Sequence, residues 1–120
     1  MRWNMNFIDN EYLIPIFIGC SAENRRGASR VMKATGIRAH FFAPRFLPFD
    51  GLRFRCHKVL PFRDELISDS IVSFVGSIEE YYCPVIILCD DFGRQAVTRN
   101  SLQLECYCVA MEIEDFFGNS

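Results

Sequence analysis

Long apolar segments are missing from this 120-residue sequence. Its longest hydrophobic runs are about six residues, whereas a helix that crosses a bilayer needs roughly twenty. No basic segment followed by an apolar stretch and a cleavage site precedes these runs, so no secretory signal is recognised. We therefore expect a cytoplasmic protein with no membrane partner.

Paired metal-ligand spacings are also missing. The sequence holds six cysteines and two histidines but no CxxC pair. Cys106 with Cys108, and Cys56 beside His57, come closest to half of a zinc site. Because Cys56 and His57 are adjacent in a predicted strand, their side chains point to opposite faces, which disfavours a catalytic Cys-His pair. We interpret the cysteines as small buried apolar residues and predict no metal site.

Known phosphate-binding signatures are incomplete or absent. A dinucleotide fingerprint would begin at Gly19, but Ser21 and Asn24 stand where its second and third glycines belong. There is no Walker phosphate loop, and the expected first and third strands are not followed by the acids of a phospho-receiver domain. These observations argue against a nucleotide cofactor bound by this chain alone.

The composition is that of one globular domain. Half of the residues are hydrophobic and 14% are aromatic, which is enough to build a core at this length. Aromatic residues mixed with arginines could also suggest a surface for single-stranded nucleic acid. Core packing explains the phenylalanines more simply, and with a sequence pI near 5.6 we expect no nucleic-acid partner.

Charge is unevenly distributed although the net charge is only −2. Residues 24–63 contain ten lysines and arginines but one acid, Asp50, whereas residues 64–120 contain eleven acids and two arginines. This asymmetry suits an anionic ligand or a neighbouring domain. Two solvated helix faces would give the same pattern, so both interpretations remain open.

The first half of the chain predicts a βαβ unit. A buried strand from Leu13 ends at Gly19, and a helix of about eleven residues, capped by Asn24, ends at Gly36. A second strand over 37–43 alternates partly in polarity, so it should lie nearer a sheet edge than the first.

The second half continues the alternation of strands and helices. After a loop at 45–55 we expect a third strand at 56–60 and a helix capped by Asp64. The run PVIILC predicts a fourth buried strand, followed by a helix that begins near Phe92. Helical spacing between 102 and 117 suggests a final helix. The predicted fold is α/β: a three-layer Rossmann-like domain with a four-stranded, mainly parallel sheet flanked by helices.

Ligands of such sheets sit outside the carboxyl ends of the strands, near the amino termini of helices. The turns after the first and fourth strands should meet there. They supply our candidate substrate-binding residues, which are Gly19, Cys20, Ser21, Asn24, Asp90 and Asp91. In the alternative interpretation Gly19 only makes the turn, Asn24 only caps a helix, and the two acids belong to a solvated loop in which one caps the next helix.

Four segments between Glu11 and Glu105 carry a resemblance to a known family. They read EYLIPIFIG, GASRVMKATGI, FRCHKVLPF and PVIILCDDFGRQAV. In order and turn placement the chain resembles the amino-terminal (pre-ATP-grasp, Rossmann-like) domain of ATP-grasp carboxylate–amine ligases, in the D-aspartate ligase-like branch.

We expect an N-terminal arm at 1–12, where the apolar residues show no clear period, and the pre-ATP-grasp domain that the resemblance implies at 13–105. At 106–120 we expect a C-terminal helix or a linker to a further domain. It implies no catalytic residue and no cofactor in this chain, because ATP and magnesium would bind an ATP-grasp domain of the same polypeptide. The six candidate residues would then face a small carboxylate or amine substrate. Relatives often carry a second glycine or an aspartate where Cys20 and Ser21 stand, which leaves the substrate open.

A second hypothesis is a stand-alone module that binds a small anionic ligand or a protein partner through its charged faces. A homodimer is a further expectation, because the apolar residues near the end of the sequence would be exposed without a covering partner. These residues are Val109, Ile113, Phe116 and Phe117.

Overall fold

A computed structural model describes residues 11–59 and 64–118. Its strands are β1 (Leu13–Ile18), β2 (His40–Ala43), β3 (Arg55–Lys58), β4 (Cys83–Leu88) and β5 (Val109–Glu112). Its helices are α1 (Ala22–Thr35), α2 (Asp50–Arg53), α3 (Asp64–Gly76), α4 (Asp91–Arg99), α5 (Ser101–Leu104) and α6 (Ile113–Gly118). Most of the predicted N-terminal arm lies outside the described residues.

The five strands form one parallel sheet in the order β3-β2-β1-β4-β5. The parallel pairing of β1 with β4 is confirmed, with Leu13 opposite Cys83 and Ile16 opposite Ile86. β1 is central and β2 lies nearer the edge, as the polarity of the two segments predicted. The domain is therefore α/β and Rossmann-like.

The predicted number of strands was wrong, because β5 was not recognised. Val109 pairs with Val85 and Met111 with Ile87, so this segment extends the sheet beyond β4. Its apolar residues also fit a helical period, and a four-residue strand is too short for a period of two to decide. The expected final helix is instead divided into α5, β5 and α6.

Helices cover both faces of the sheet, which confirms the three-layer arrangement. On one face, Phe17 and Phe41 pack with residues of α1 and α6, among them Val31 and Phe116. On the other, Ile16 packs with residues of α3, α4 and α5. This alternation follows from the period of two along each strand. Phe116 is completely buried, so it belongs to the domain core; a homodimer through this region stays a prediction.

Several predicted boundaries changed. α1 has 14 residues instead of about eleven, and its N-cap is Ser21 rather than Asn24. The predicted C-cap is confirmed, because Gly36 has a φ of 74° and its N–H donates to the carbonyl of Met32. The predicted loop at 45–55 contains the single turn of α2. Asp64 begins α3, but its side chain lies outside the described part.

The cysteines are all unpaired thiols, and five of the six are half-buried while Cys106 is exposed. Burial raises the pKa of the Cys89 thiol to about 12 and that of Cys108 to about 11. Within 11–59 and 64–118, no group of three potential metal ligands occurs. None of the helices described there is both long and apolar enough to span a bilayer.

Gly27 lets α1 pack closely on the sheet, and we predict that Gly27→Ala destabilises the fold. An added Cβ would lie 2.4 Å from Cys89 Sγ and 3.1 Å from Ile113 Cδ1. Overpacking of this kind costs about 1–3 kcal/mol of unfolding free energy. Gly51→Ala is the control, because nothing lies within 4 Å of its added Cβ. Urea denaturation measures the unfolding free energy of both variants. Equal denaturation midpoints for Gly27→Ala and Gly51→Ala would contradict the close packing at Gly27.

Candidate functional site

The turns after β1 and β4 lie side by side at one edge of the sheet, called here the rim. Gly19 forms the first turn with a φ of 120°, and its N–H donates to the carbonyl of Phe42 at 2.9 Å. A Cβ at Gly19 would lie 2.4 Å from Asn24 Nδ2. Both the backbone conformation and the close approach of Asn24 therefore require glycine here.

The N-caps of α1 and α4 are joined by a hydrogen bond. Ser21 Oγ accepts from the N–H of Asn24 at 3.1 Å and donates to Asp90 Oδ2 at 2.5 Å. The other oxygen of Asp90, Oδ1, accepts from the N–H of Gly93 at 2.9 Å. One serine and one carboxylate thus satisfy two helix termini and fix their separation.

Asn24 is a structural residue at the rim. Its side chain is 1% exposed, and Nδ2 donates to the carbonyl of Ile18 at 2.6 Å. It therefore fastens the first turn of α1 to the end of β1. Because the side chain is buried, a substrate in the rim does not reach this amide.

The other two candidates differ from this group. Cys20 is half-buried and packs against the core cluster that contains Phe17, while its carbonyl accepts from Arg25 Nη1. Asp91 points outward: its side chain is 89% exposed and pairs with Arg94 at 2.9 Å. The structure thus brings Gly19, Ser21, Asn24 and Asp90 together, places Cys20 toward the core and leaves Asp91 in solvent.

Arg94 extends the rim network to β5. Its Nε and Nη2 contact both carboxylate oxygens of Glu112 at 2.8 and 2.7 Å, besides the contact with Asp91. Hydrogen bonds from Arg94 lower the pKa of Glu112 despite partial burial. A bidentate guanidinium–carboxylate pair is geometrically specific, so it orients α4 against β5.

A buried ion pair that the sequence analysis missed fixes the loop after β2. Arg25 Nη2 lies 2.9 Å from Asp50 Oδ2, and Asp50 is 2% exposed. The N–H of Leu47 also donates to Asp50 Oδ2 at 2.7 Å. Burial alone would raise the pKa of Asp50, but the hydrogen bonds from Arg25 and Leu47 hold it below its usual value. The sequence did carry a signal for this ion pair, because Asp50 is the one acid in residues 24–63, which contain ten lysines and arginines.

The two histidines form a pair on the face of the sheet that α3 covers. His40 Nδ1 lies 2.8 Å from His57 Nε2, and the His57 ring stacks on Phe42 with centroids 4.3 Å apart. Burial, helped by the nearby His57 and arginines, lowers the pKa of His40 to about 4, and burial also lowers that of His57. Cys56 packs on the opposite face, as predicted. His40 begins β2, whereas His57 lies opposite Phe42 near the carboxyl end of that strand.

Comparisons with family models, with curated protein sequences and with solved structures each found no significant match. The structure supports an α/β domain with a five-stranded parallel sheet and identifies no family.

We predict that Asp90→Ala lowers the unfolding free energy by about 1–2 kcal/mol, because it removes an N-cap acceptor and the partner of Ser21. Asp90→Asn keeps an oxygen that can cap α4 and should cost less. Asp91→Ala, at the exposed neighbouring position, is the control and should change stability little. Urea denaturation distinguishes these variants; equal effects at the two positions would contradict the cap-to-cap hydrogen bond.

We also predict that the domain loses stability as the pH falls from about 6.5 toward about 4, because the unfolded histidines take up protons more readily than the folded pair. Buried carboxylates such as Asp50 add to this loss at still lower pH. The double variant His40→Gln/His57→Gln isolates the histidine contribution. Melting temperatures at about pH 7.5 and pH 4.5 should differ less in this variant; an unchanged difference would contradict the assignment.

Proposed function

We propose that this chain is the non-catalytic amino-terminal domain of an ATP-dependent carboxylate–amine ligase and that its rim turns line the substrate pocket. The observation that carries the proposal is the contact between the turns after β1 and β4 through Ser21 and Asp90. The order β3-β2-β1-β4-β5 reverses its direction between these two strands. Such a switch point is where open parallel sheets bind their ligands.

The rim suits the amine substrate better than the carboxylate substrate. Asp91 is exposed next to the cap of α4, and Glu23 is exposed in the first turn of α1. These two carboxylates lie in the first turns of the helices that follow the rim and attract an ammonium group. Both oxygens of Asp90 are occupied by hydrogen bonds. The exposed ion pair of Asp91 with Arg94 can exchange for an ammonium group, so we assign the contact with the amine to Asp91.

In the proposed parent reaction, ATP transfers its γ-phosphoryl group to the substrate carboxylate, giving an acyl phosphate and ADP. The amine then attacks the acyl carbon, and inorganic phosphate leaves. ATP and magnesium belong to a neighbouring ATP-grasp domain of the same polypeptide. The chain described here would position the amine and exclude water that would otherwise hydrolyse the acyl phosphate.

The test is to express the longest natural reading frame that encodes this chain and to measure ADP formation with a panel of carboxylates and amines. Asp91→Asn should raise the KM for the amine about tenfold and leave the KM for ATP unchanged, because it removes a contact with one substrate only. Glu105→Gln, which removes one exposed carboxylate next to α5, is the matched control.

Two outcomes would overturn the proposal. One is a reading frame whose product forms no ADP with any substrate pair. The other is an amine KM that Asp91→Asn and Glu105→Gln change equally, which would reduce the effect to the general loss of one negative charge.

A stand-alone binding module is the second candidate, and one observation favours it. The surface of α1 carries a groove lined by cations, as the charge asymmetry suggested. This candidate needs no neighbouring domain, so a reading frame that encodes no nucleotide-binding partner would favour it over the ligase domain.

A further inference from the structure

A basic groove runs along α1 on the face of the sheet opposite α3 and α4. It has a volume of about 390 Å³, and charged or hydroxyl-bearing residues line it, mostly with the aliphatic parts of their side chains. The lining residues are Arg25, Arg26, Ser29, Arg30 and Lys33 from α1, and Arg53 from α2. Five of these six side chains are cationic, so the groove concentrates the positive charge that the sequence carries between 24 and 63.

Carboxylates engage two of the five cations. Arg25 is held by buried Asp50 and so forms a fixed wall of the groove. Arg30 Nη1 lies 3.2 Å from Glu114 Oε1, but both side chains are largely exposed. The guanidinium of Arg30 also lies over the Phe117 ring, 3.9 Å from its centroid. The exposed ion pair is weak and exchanges readily with solvent, so Arg30 can accept a ligand while it stays on that ring.

The other three cations have no carboxylate partner within the described residues. Arg53 donates to Ser29 Oγ, whereas the side chains of Arg26 and Lys33 make no hydrogen bond or ion pair with any described residue. Arg26 lies four residues before Arg30, and Lys33 lies three residues after Arg30. Like charges are therefore neighbours on α1. This spacing weakens a helix through repulsion, and a bound anion would remove that repulsion.

The arrangement favours a ligand with at least two anionic groups. Guanidinium forks match the paired oxygens of carboxylates and phosphates. Cations from two helices surround the groove, so a single small anion would leave most of them unneutralised. Arg25 also donates to the carbonyl of Cys20, which joins one end of the groove to the rim.

We infer that this basic groove is a binding site for a small multivalent oxyanion, such as a polycarboxylate or a compound with two phosphoryl groups. The site lies outside the rim turns and does not depend on the ligase proposal. Binding is a property of the chain itself and can be measured without a neighbouring domain.

The experiment is calorimetric titration of the chain at low ionic strength with citrate and, separately, with pyrophosphate. The variant Arg26→Gln/Lys33→Gln removes two groove cations and should raise the Kd of the bound probe about tenfold. The variant Arg45→Gln/Lys58→Gln removes the same charge at two exposed positions outside the groove and should change the Kd less than about twofold. All four positions are exposed, and a melting curve checks that each variant is folded.

Each result decides the inference. Binding of one or both probes with selective loss in the groove variant supports it, and the preferred probe tells carboxylate from phosphoryl recognition. Affinity should also fall as salt is added. Failure of both probes to bind the wild-type chain would overturn it, as would equal weakening in the two double variants. Neither result tests the role of Asp91 or of the rim turns, because both double variants leave them unchanged.

Discussion

The parallel pairing of β1 with β4 is the constraint on which the rest of the structure depends. Both strands are buried on both faces, so their position at the centre of the sheet is set by the loss of apolar surface to two helical layers. Because the two strands run in the same direction, their carboxyl ends lie together. The helices that follow must then begin side by side, and their N-caps Ser21 and Asp90 come within hydrogen-bonding distance.

Polar groups near this centre are paired. Asn24 is bonded to β1, Asp50 to Arg25, and His40 to His57. No buried side-chain nitrogen or oxygen among the described residues lacks a hydrogen-bond partner. An unpaired buried polar group costs more than a pair contributes, so these contacts act mainly to define one arrangement of turns and helices. The rim also carries two exposed carboxylates, Asp91 and Glu23.

Much of the fold could be predicted from local pattern, and much of the site could not. The buried runs of β1 and β4 and the stop of α1 at Gly36 are local signals that the structure confirms. β5 was missed because its four residues fit two periods equally well. Ser21 and Asn24 are both good capping residues, and only the path of the chain decides which of them caps α1. The partners in the Ser21–Asp90 bond are 69 residues apart and those in Arg25–Asp50 are 25 apart.

The sequence by itself determined the α/β class, the direction of the two central strands, the turn at Gly19 and the separation of basic from acidic halves, because each of these follows from the order and polarity of neighbouring residues. Only the tertiary structure decided that Asp90 caps α4 and also bonds to Ser21, the cap of α1, and that Asp91 is exposed. It also decided that the histidines share a hydrogen bond and that the cations of α1 line a groove. These properties depend on which distant side chains meet when the sheet is assembled. Spacing along the chain does not encode that information.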